Sequence, residues 1–122
     1  MESILTSIKK ILGITEEYEH FDADLIMHIN SALMVLTQLG IGPSNGLIIK
    51  DKTTLWSELI SEDSNLELVK SYVGLKVKLL FDPPTSSAAM EASNRMISEF
   101  EWRLSVAAST INNGEEVIQN GE

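Results

Sequence analysis

The chain of 122 residues contains no cysteine and only two histidines, and its nine basic residues face eighteen acidic ones. Without cysteine there can be no disulfide, no thiolate zinc site and no cysteine nucleophile. The formal net charge of −9 argues against a nucleic-acid-binding protein, because such proteins neutralise phosphates with Lys and Arg. No apolar run approaches the ~20 residues of a membrane span, and the N-terminus lacks the pattern of a signal peptide. These absences predict a single soluble domain that is synthesised inside the cell.

Catalytic motifs are missing as well. The sequence contains no H-E-x-x-H, G-x-S-x-G, G-K-S/T or G-x-G-x-x-G pattern. Asp24 and His28 are four residues apart in a predicted helix, so their side chains can meet on one flank. Such a pair could be an acid–base dyad or half a metal site, but a surface ion pair is far commoner. We therefore expect no enzyme activity, no metal and no cofactor.

The longest apolar stretch runs from Leu66 to Leu104 and is interrupted once, at Asp82-Pro83-Pro84. Before the break, apolar residues cover most of a helical wheel, which is typical of a helix in the middle of a bundle. The helix must end at the break, since prolines lack the N–H of the ladder and disfavour helical backbone in the residue before them. A second long helix begins just afterwards, with a hydroxyl residue from 85–87 as N-cap. This pattern predicts a C-terminal helical hairpin hinged at Asp82, Pro83 and Pro84.

Two helices are predicted in the N-terminal third. Residues 4–12 show helical spacing, with Ser3 as N-cap and Gly13 just past the end. The second helix is expected to be capped by Asp22 and to end at Gly40. Its non-core side carries flexible methionines, which suit an adaptable contact surface. We predict a subunit interface that includes Met27, Met34 and Gln38.

The character of the sequence changes after this second helix. Residues 43–46 form a strong turn signal, and the apolar run that follows is too short for a helix. We expect a protruding loop or short β-hairpin arm made of Pro43, Asn45, Gly46, Leu47, Ile48 and Ile49. A short helix around Trp56 then leads into the central helix.

The last helix places Trp102 and Val106 on its charged side. The tryptophan either packs against the first helix or the arm of its own chain, or anchors a contact between subunits, where tryptophan is enriched. Both residues are candidate interface residues. The final residues are polar, and we predict one domain over 1–111 followed by a flexible tail over 112–122. The candidate docking residues of this end are Ile111, Val117 and Ile118.

Taken together, the patterns predict a mainly all-α fold. It is a small bundle of about four to five helices with the long hairpin at its C-terminal end. The outward apolar groups exceed what a monomer needs, which favours a protein-interaction module over an enzyme.

The run from Tyr72 to Ala88 resembles the family of phage head–tail connector proteins, and so does the segment Ile97–Leu104 at the matching distance downstream. Phe21–Asn30 and Gln38–Pro43 fit the same family. The resemblance covers most of the chain up to about Leu104. Its motifs are structural rather than catalytic.

This resemblance implies a small helical adaptor of the virion that is made in the bacterial host cytoplasm. It implies a homo-oligomeric ring stacked under the portal protein, which completes the head and offers a docking surface to the next connector or tail protein. DNA would pass through the ring without sequence-specific binding, and no membrane is involved. The residues alone leave two other function classes open. One is an acidic inhibitor or antitoxin-like partner of a basic protein, and the other is a small enzyme that uses Asp24 and His28.

Overall fold

The computed structural model describes residues 2–61 and 64–120, without the side chains of residue 64 and of residues 110–120. Its helices, in chain order, are α1 (Ile4–Ile11), α2 (Asp22–Gln38), α3 (Ser64–Phe81) and α4 (Ser87–Asn120). A single 3-10 turn, Trp56–Glu58, lies between α2 and α3. No strand occurs in the described ranges, so the mainly all-α prediction is confirmed.

Helix α3 is the centre of the bundle and packs against α1, α2 and α4. Its buried side chains come from more than one face, as its broad apolar arc predicts. They are Leu66, Val69, Tyr72, Val73 and Val77. Leu80 shares the helical-wheel arc of Val69 and Val77 but is 49 % exposed. The core is completed by apolar side chains of the other helices and by Trp56, which has no exposed surface.

The predicted hairpin is confirmed, and the hinge residues lie where the prolines require them. Helix α3 ends at Phe81 and α4 begins at Ser87, so Asp82, Pro83 and Pro84 belong to the connection. The Ser86 hydroxyl accepts a hydrogen bond from the Ala89 N–H at 3.1 Å and caps α4.

Polar contacts hold the two long helices of the hairpin in register. The Tyr72 hydroxyl donates to a Glu101 carboxylate oxygen at 2.8 Å, and the Lys76 ammonium lies 3.7 Å from the same oxygen. Burial, and then the bond to Glu101, raise the pKa of the Tyr72 phenol well above its ordinary value. The phenol therefore stays protonated and remains a donor across the physiological range.

The N-terminal residues are tied to the 3-10 turn. The Ile4 N–H donates to the Thr54 carbonyl at 3.0 Å, and the Trp56 N–H donates to the Glu2 carbonyl at 3.1 Å. The indole of Trp56 donates to the Ser7 hydroxyl at 2.8 Å, which satisfies its only polar atom inside the core. The caps predicted for α1 are present, since Ser3 accepts from the Thr6 N–H and Gly13 has φ of 77°.

Three local predictions are wrong. The predicted short strand or β-hairpin of the arm is absent, because residues 47–49 form irregular backbone that packs onto α2. The short helix around Trp56 is reduced to the 3-10 turn. Asp22 does not cap α2, because the N-cap is Phe21 and Asp22 is the first helical residue.

Helix α4 continues to Asn120. The division of the chain into a domain over 1–111 and a flexible tail over 112–122 stays a prediction. The side chains of Ile111, Val117 and Ile118 lie outside the described residues. Their docking role stays a prediction.

We expect the double substitution Pro83→Ala and Pro84→Ala to lower the free energy of unfolding by about 1–2 kcal/mol, because the unfolded chain gains conformations and the hinge can become helical. Far-UV circular dichroism should show added helix, and chemical denaturation gives the stability change.

The matched control is Pro43→Ala, which changes the third proline of the chain, outside the hairpin. A double variant that unfolds like wild type, with unchanged helicity, would show that the prolines do not set the hairpin geometry.

Candidate interaction surfaces

A concave surface lies between α2 and the segment that follows it. An open groove of about 650 Å³ is lined on one side by the outward face of α2 and on the other by residues 45–48. Met34 is 62 % exposed and Ile48 is 63 % exposed, so apolar surface is available in the groove. We call this surface the α2 groove; its outward residues include Met27, Ser31, Met34, Gln38, Asn45, Gly46, Leu47 and Ile48.

Asn30 fixes the far wall of the α2 groove. Its side-chain amide donates to the Ile49 carbonyl at 3.0 Å and accepts from the Ile49 N–H at 2.8 Å. This two-point bond satisfies both backbone groups of Ile49, whose side chain is buried beneath. The neighbouring Ile48 side chain is exposed. The arm is therefore pinned to α2 at Ile49 instead of projecting freely.

The structure brings together two sets of residues that the sequence treated as separate sites. Met27, Met34 and Gln38 were predicted as a subunit interface, and the residues around Asn45–Ile48 as an arm. Both sets line the same groove. Pro43 contributes to the turn, where its carbonyl accepts from the Gly46 N–H at 2.9 Å.

A second outward surface lies on α4. Trp102 is 66 % exposed, and Val106, one turn later, is also exposed. The expectation that Trp102 packs on α1 or on the arm of its own chain is therefore wrong, and the alternative, an intermolecular anchor, remains. The Arg103 guanidinium pairs with Glu99 at 2.7 Å beside the tryptophan. We call Arg95, Glu99, Trp102 and Val106 the α4 ridge, because these residues share the outward stripe of the helix.

A smaller apolar pocket of about 410 Å³ lies where α1 meets the hairpin. Gly74 lets Ile11 approach closely, since a Cβ at this position would lie 2.9 Å from the Ile11 side chain. Met96 and Phe100 of α4 form the other wall. The glycine in the middle of α3 thus makes room for a side chain of α1.

Sequence reasoning missed Lys9, which is 2 % exposed. Its ammonium lies 2.9 Å from a carboxylate oxygen of Asp22 and donates to the carbonyls of Glu16 at 2.9 Å and of Tyr18 at 2.6 Å. The ammonium thus makes two hydrogen bonds to backbone carbonyls and one ion pair with Asp22. The acidic connector between α1 and α2 is therefore folded around a buried cation, although its glutamate side chains face outward.

The side chains of Asp24 and His28 do not interact in the structure. No hydrogen bond or ion pair joins the two side chains, although both are described. Within residues 2–61 and 65–109, whose side chains are described, no group of three or more His, Asp or Glu residues could hold a metal ion. In the same part of the chain, no helix is long and apolar enough to cross a membrane.

The candidate sites of this small helical protein are thus contact surfaces on the outside of a well-packed bundle. The model of the phage connector protein family matches residues 4–110, and the chain belongs to this family. The family is structural rather than enzymatic, and the protein is accordingly a structural connector of the phage particle. No protein with a curated description and no solved structure matches the chain.

We expect Lys9→Met to lower the free energy of unfolding by about 3 kcal/mol, because it leaves the Asp22 carboxylate and two carbonyls without their buried cation. The control is Lys10→Met, which removes an exposed lysine next to it and should change stability by less than about 1 kcal/mol. Equal effects of the two substitutions in urea denaturation would contradict the structural role of Lys9.

We expect His28→Gln to change the free energy of unfolding by less than about 0.5 kcal/mol and to leave assembly unchanged, because His28 makes no polar contact with Asp24. Metal analysis and melting of the purified variant provide the measurement. A loss of bound metal in the variant relative to wild type would show that a ligand site had been overlooked.

Proposed function

We propose that the protein forms a homo-oligomeric ring that stacks on the portal protein and completes the phage head. The next connector or tail protein docks on the opposite side of the ring, and DNA passes through it. Membership of the phage connector protein family supports a structural role at this place in the particle.

The observation that carries the ring is the presence of two different exposed apolar surfaces. The α2 groove and the α4 ridge lie on separate helices, each on the face turned away from the core. A closed ring needs two unlike surfaces on every subunit, since each subunit contacts its neighbours head to tail. A single self-complementary patch would give a dimer.

The charge of the chain is compatible with a channel for DNA. With a formal net charge of −9, the subunit offers few cations that could hold phosphates. A wall that bound the backbone tightly would slow its passage, whereas an acidic wall repels it.

The remaining apolar residues are candidates for contacts between the ring and other proteins. Since Asn30 pins the arm at Ile49, its outward residue Ile48 contributes to a fixed wall and not to a free reaching segment. For the portal we propose the C-terminal residues Ile111, Val117 and Ile118 as the docking end. Electron microscopy of the protein mixed with its portal tests this arrangement directly.

We expect Trp102→Ala to weaken ring formation by about 2 kcal/mol per contact, because exposed tryptophans that become buried in an interface are typical hot spots. The melting temperature of the monomer should stay close to that of wild type, since the side chain is 66 % exposed. Native mass spectrometry and electron microscopy measure the rings, and circular dichroism measures the monomer.

Leu80→Ala serves as the control, because Leu80 is an exposed apolar residue of α3 outside both surfaces. It should leave the rings intact. Rings of Trp102→Ala that are as stable as those of wild type would remove the α4 ridge from the interface. A tight one-to-one complex with a basic protein, without rings, would instead favour the inhibitor class.

A further inference from the structure

A charged residue lies at one end of the α2 groove and another at one end of the α4 ridge, and the two charges have opposite signs. Asp24 lies one turn before Met27 on α2, and Arg95 lies two turns before Trp102 on α4. Among the described side chains, neither Asp24 nor Arg95 has an ion-pair partner. Both charges are exposed and available to another molecule.

The spacing of these groups along the two helices is the same. Trp102 follows Arg95 by seven residues, which is about 10 Å along α4 at ~1.5 Å per residue. On α2, the midpoint between Met27 and Met34 follows Asp24 by about six and a half residues, again about 10 Å. If α4 of one molecule lies beside α2 of another in the same direction, the tryptophan reaches the two methionines when the charges meet.

The angular positions agree with this alignment. At about 100° per residue, Arg95, Trp102 and Val106 fall within about 40° of one stripe on α4. On α2, Asp24, Met27 and Met34 fall within about 80° on the outward face. One straight helix can therefore present all of its contact residues to the other.

Like-charged copies of this chain approach most easily at these two surfaces. The residues that line the α2 groove include no charged side chain. On the outward side of α4, Glu91 and Glu99 balance the two arginines, Arg95 and Arg103, which are the only arginines of the chain. In an acidic protein, an uncharged groove and a balanced ridge give the least repulsion between copies.

We infer that α4 of one subunit lies in the α2 groove of the next subunit, parallel to α2. Trp102 then inserts between Met27 and Met34, and Arg95 pairs with Asp24. The occupant of the groove is thus a second copy of this chain. The inference rests on the ring proposed above and names its head-to-tail contact.

The parallel register is tested by cross-linking, for which the absence of native cysteine makes every introduced thiol unique. Ser109 follows Trp102 by seven residues, so the parallel register places it beside Gln38 of the neighbour. The antiparallel register would place it beside Ala23. All three positions are exposed. The chain with Ser109→Cys is mixed with the chain carrying either Gln38→Cys or Ala23→Cys, bound to portal-bearing capsids, and treated with a short bismaleimide.

We expect cross-linked heterodimers from the pair 38–109 and at most traces from the pair 23–109. The charge contact is tested in parallel by Asp24→Arg and Arg95→Asp, each of which should weaken assembly about tenfold. Both substitutions in one chain recreate the pair with its signs exchanged and should restore assembly to near wild type. Glu17→Arg, in the exposed connector, controls for the change in net charge, and circular dichroism of each monomer controls for folding.

The outcomes separate the two proposals. If wild-type chains never form an oligomer on the portal or in solution, the ring is wrong and this contact falls with it. If rings form but the pair 23–109 cross-links instead, or the charge exchange restores nothing, the inferred contact is overturned while the ring stands. The same holds if another phage protein is found in the groove of assembled rings.

Discussion

Helix α3 can be buried on several sides only if three other helices surround it, and this requirement organises the whole chain. Gly74 admits Ile11 from α1 on one side, while Tyr72 and Lys76 meet Glu101 of α4 on another. Because α3 takes up the core-facing sides of α2 and α4, the opposite sides of those helices are left at the surface. The two exposed apolar surfaces are thus a consequence of how the central helix is covered.

Two polar side chains bind the backbone of the segments that connect the helices. Lys9 gathers the Asp22 carboxylate and two carbonyls of the acidic connector, and Asn30 holds both backbone groups of Ile49. In each case one side chain forms two hydrogen bonds with the backbone of a loop. The loops therefore become fixed walls of the bundle. For a connector this matters, since a rigid surface loses less entropy on assembly than a mobile arm.

Membership of the phage connector protein family agrees with a molecule whose distinctive features lie on its outside. Trp102 and the methionines of α2 contribute little to the monomer, because more than half of each side chain is exposed. Exposed aromatic and apolar side chains of this kind are typical of surfaces that another protein covers. The proposed contact between α4 and the α2 groove would cover these residues, and it would also pair Asp24 with Arg95, neither of which has an ion-pair partner among the described side chains.

The sequence by itself determined the helices, the hinge and the central place of α3, because helical periodicity, capping residues and prolines act over a few neighbouring positions. It also predicted correctly that Met27 and Met34 point away from the core. Only the tertiary structure decided where Trp102 points, how the arm lies and what Lys9 does. A helical wheel shows which residues share a face but not which neighbour covers it. Residues 47–49 look like a strand locally, yet the backbone N–H and carbonyl of Ile49 bond to Asn30, nineteen positions away. Contacts between residues so distant in sequence depend on tertiary packing, and a local sequence pattern does not specify that packing.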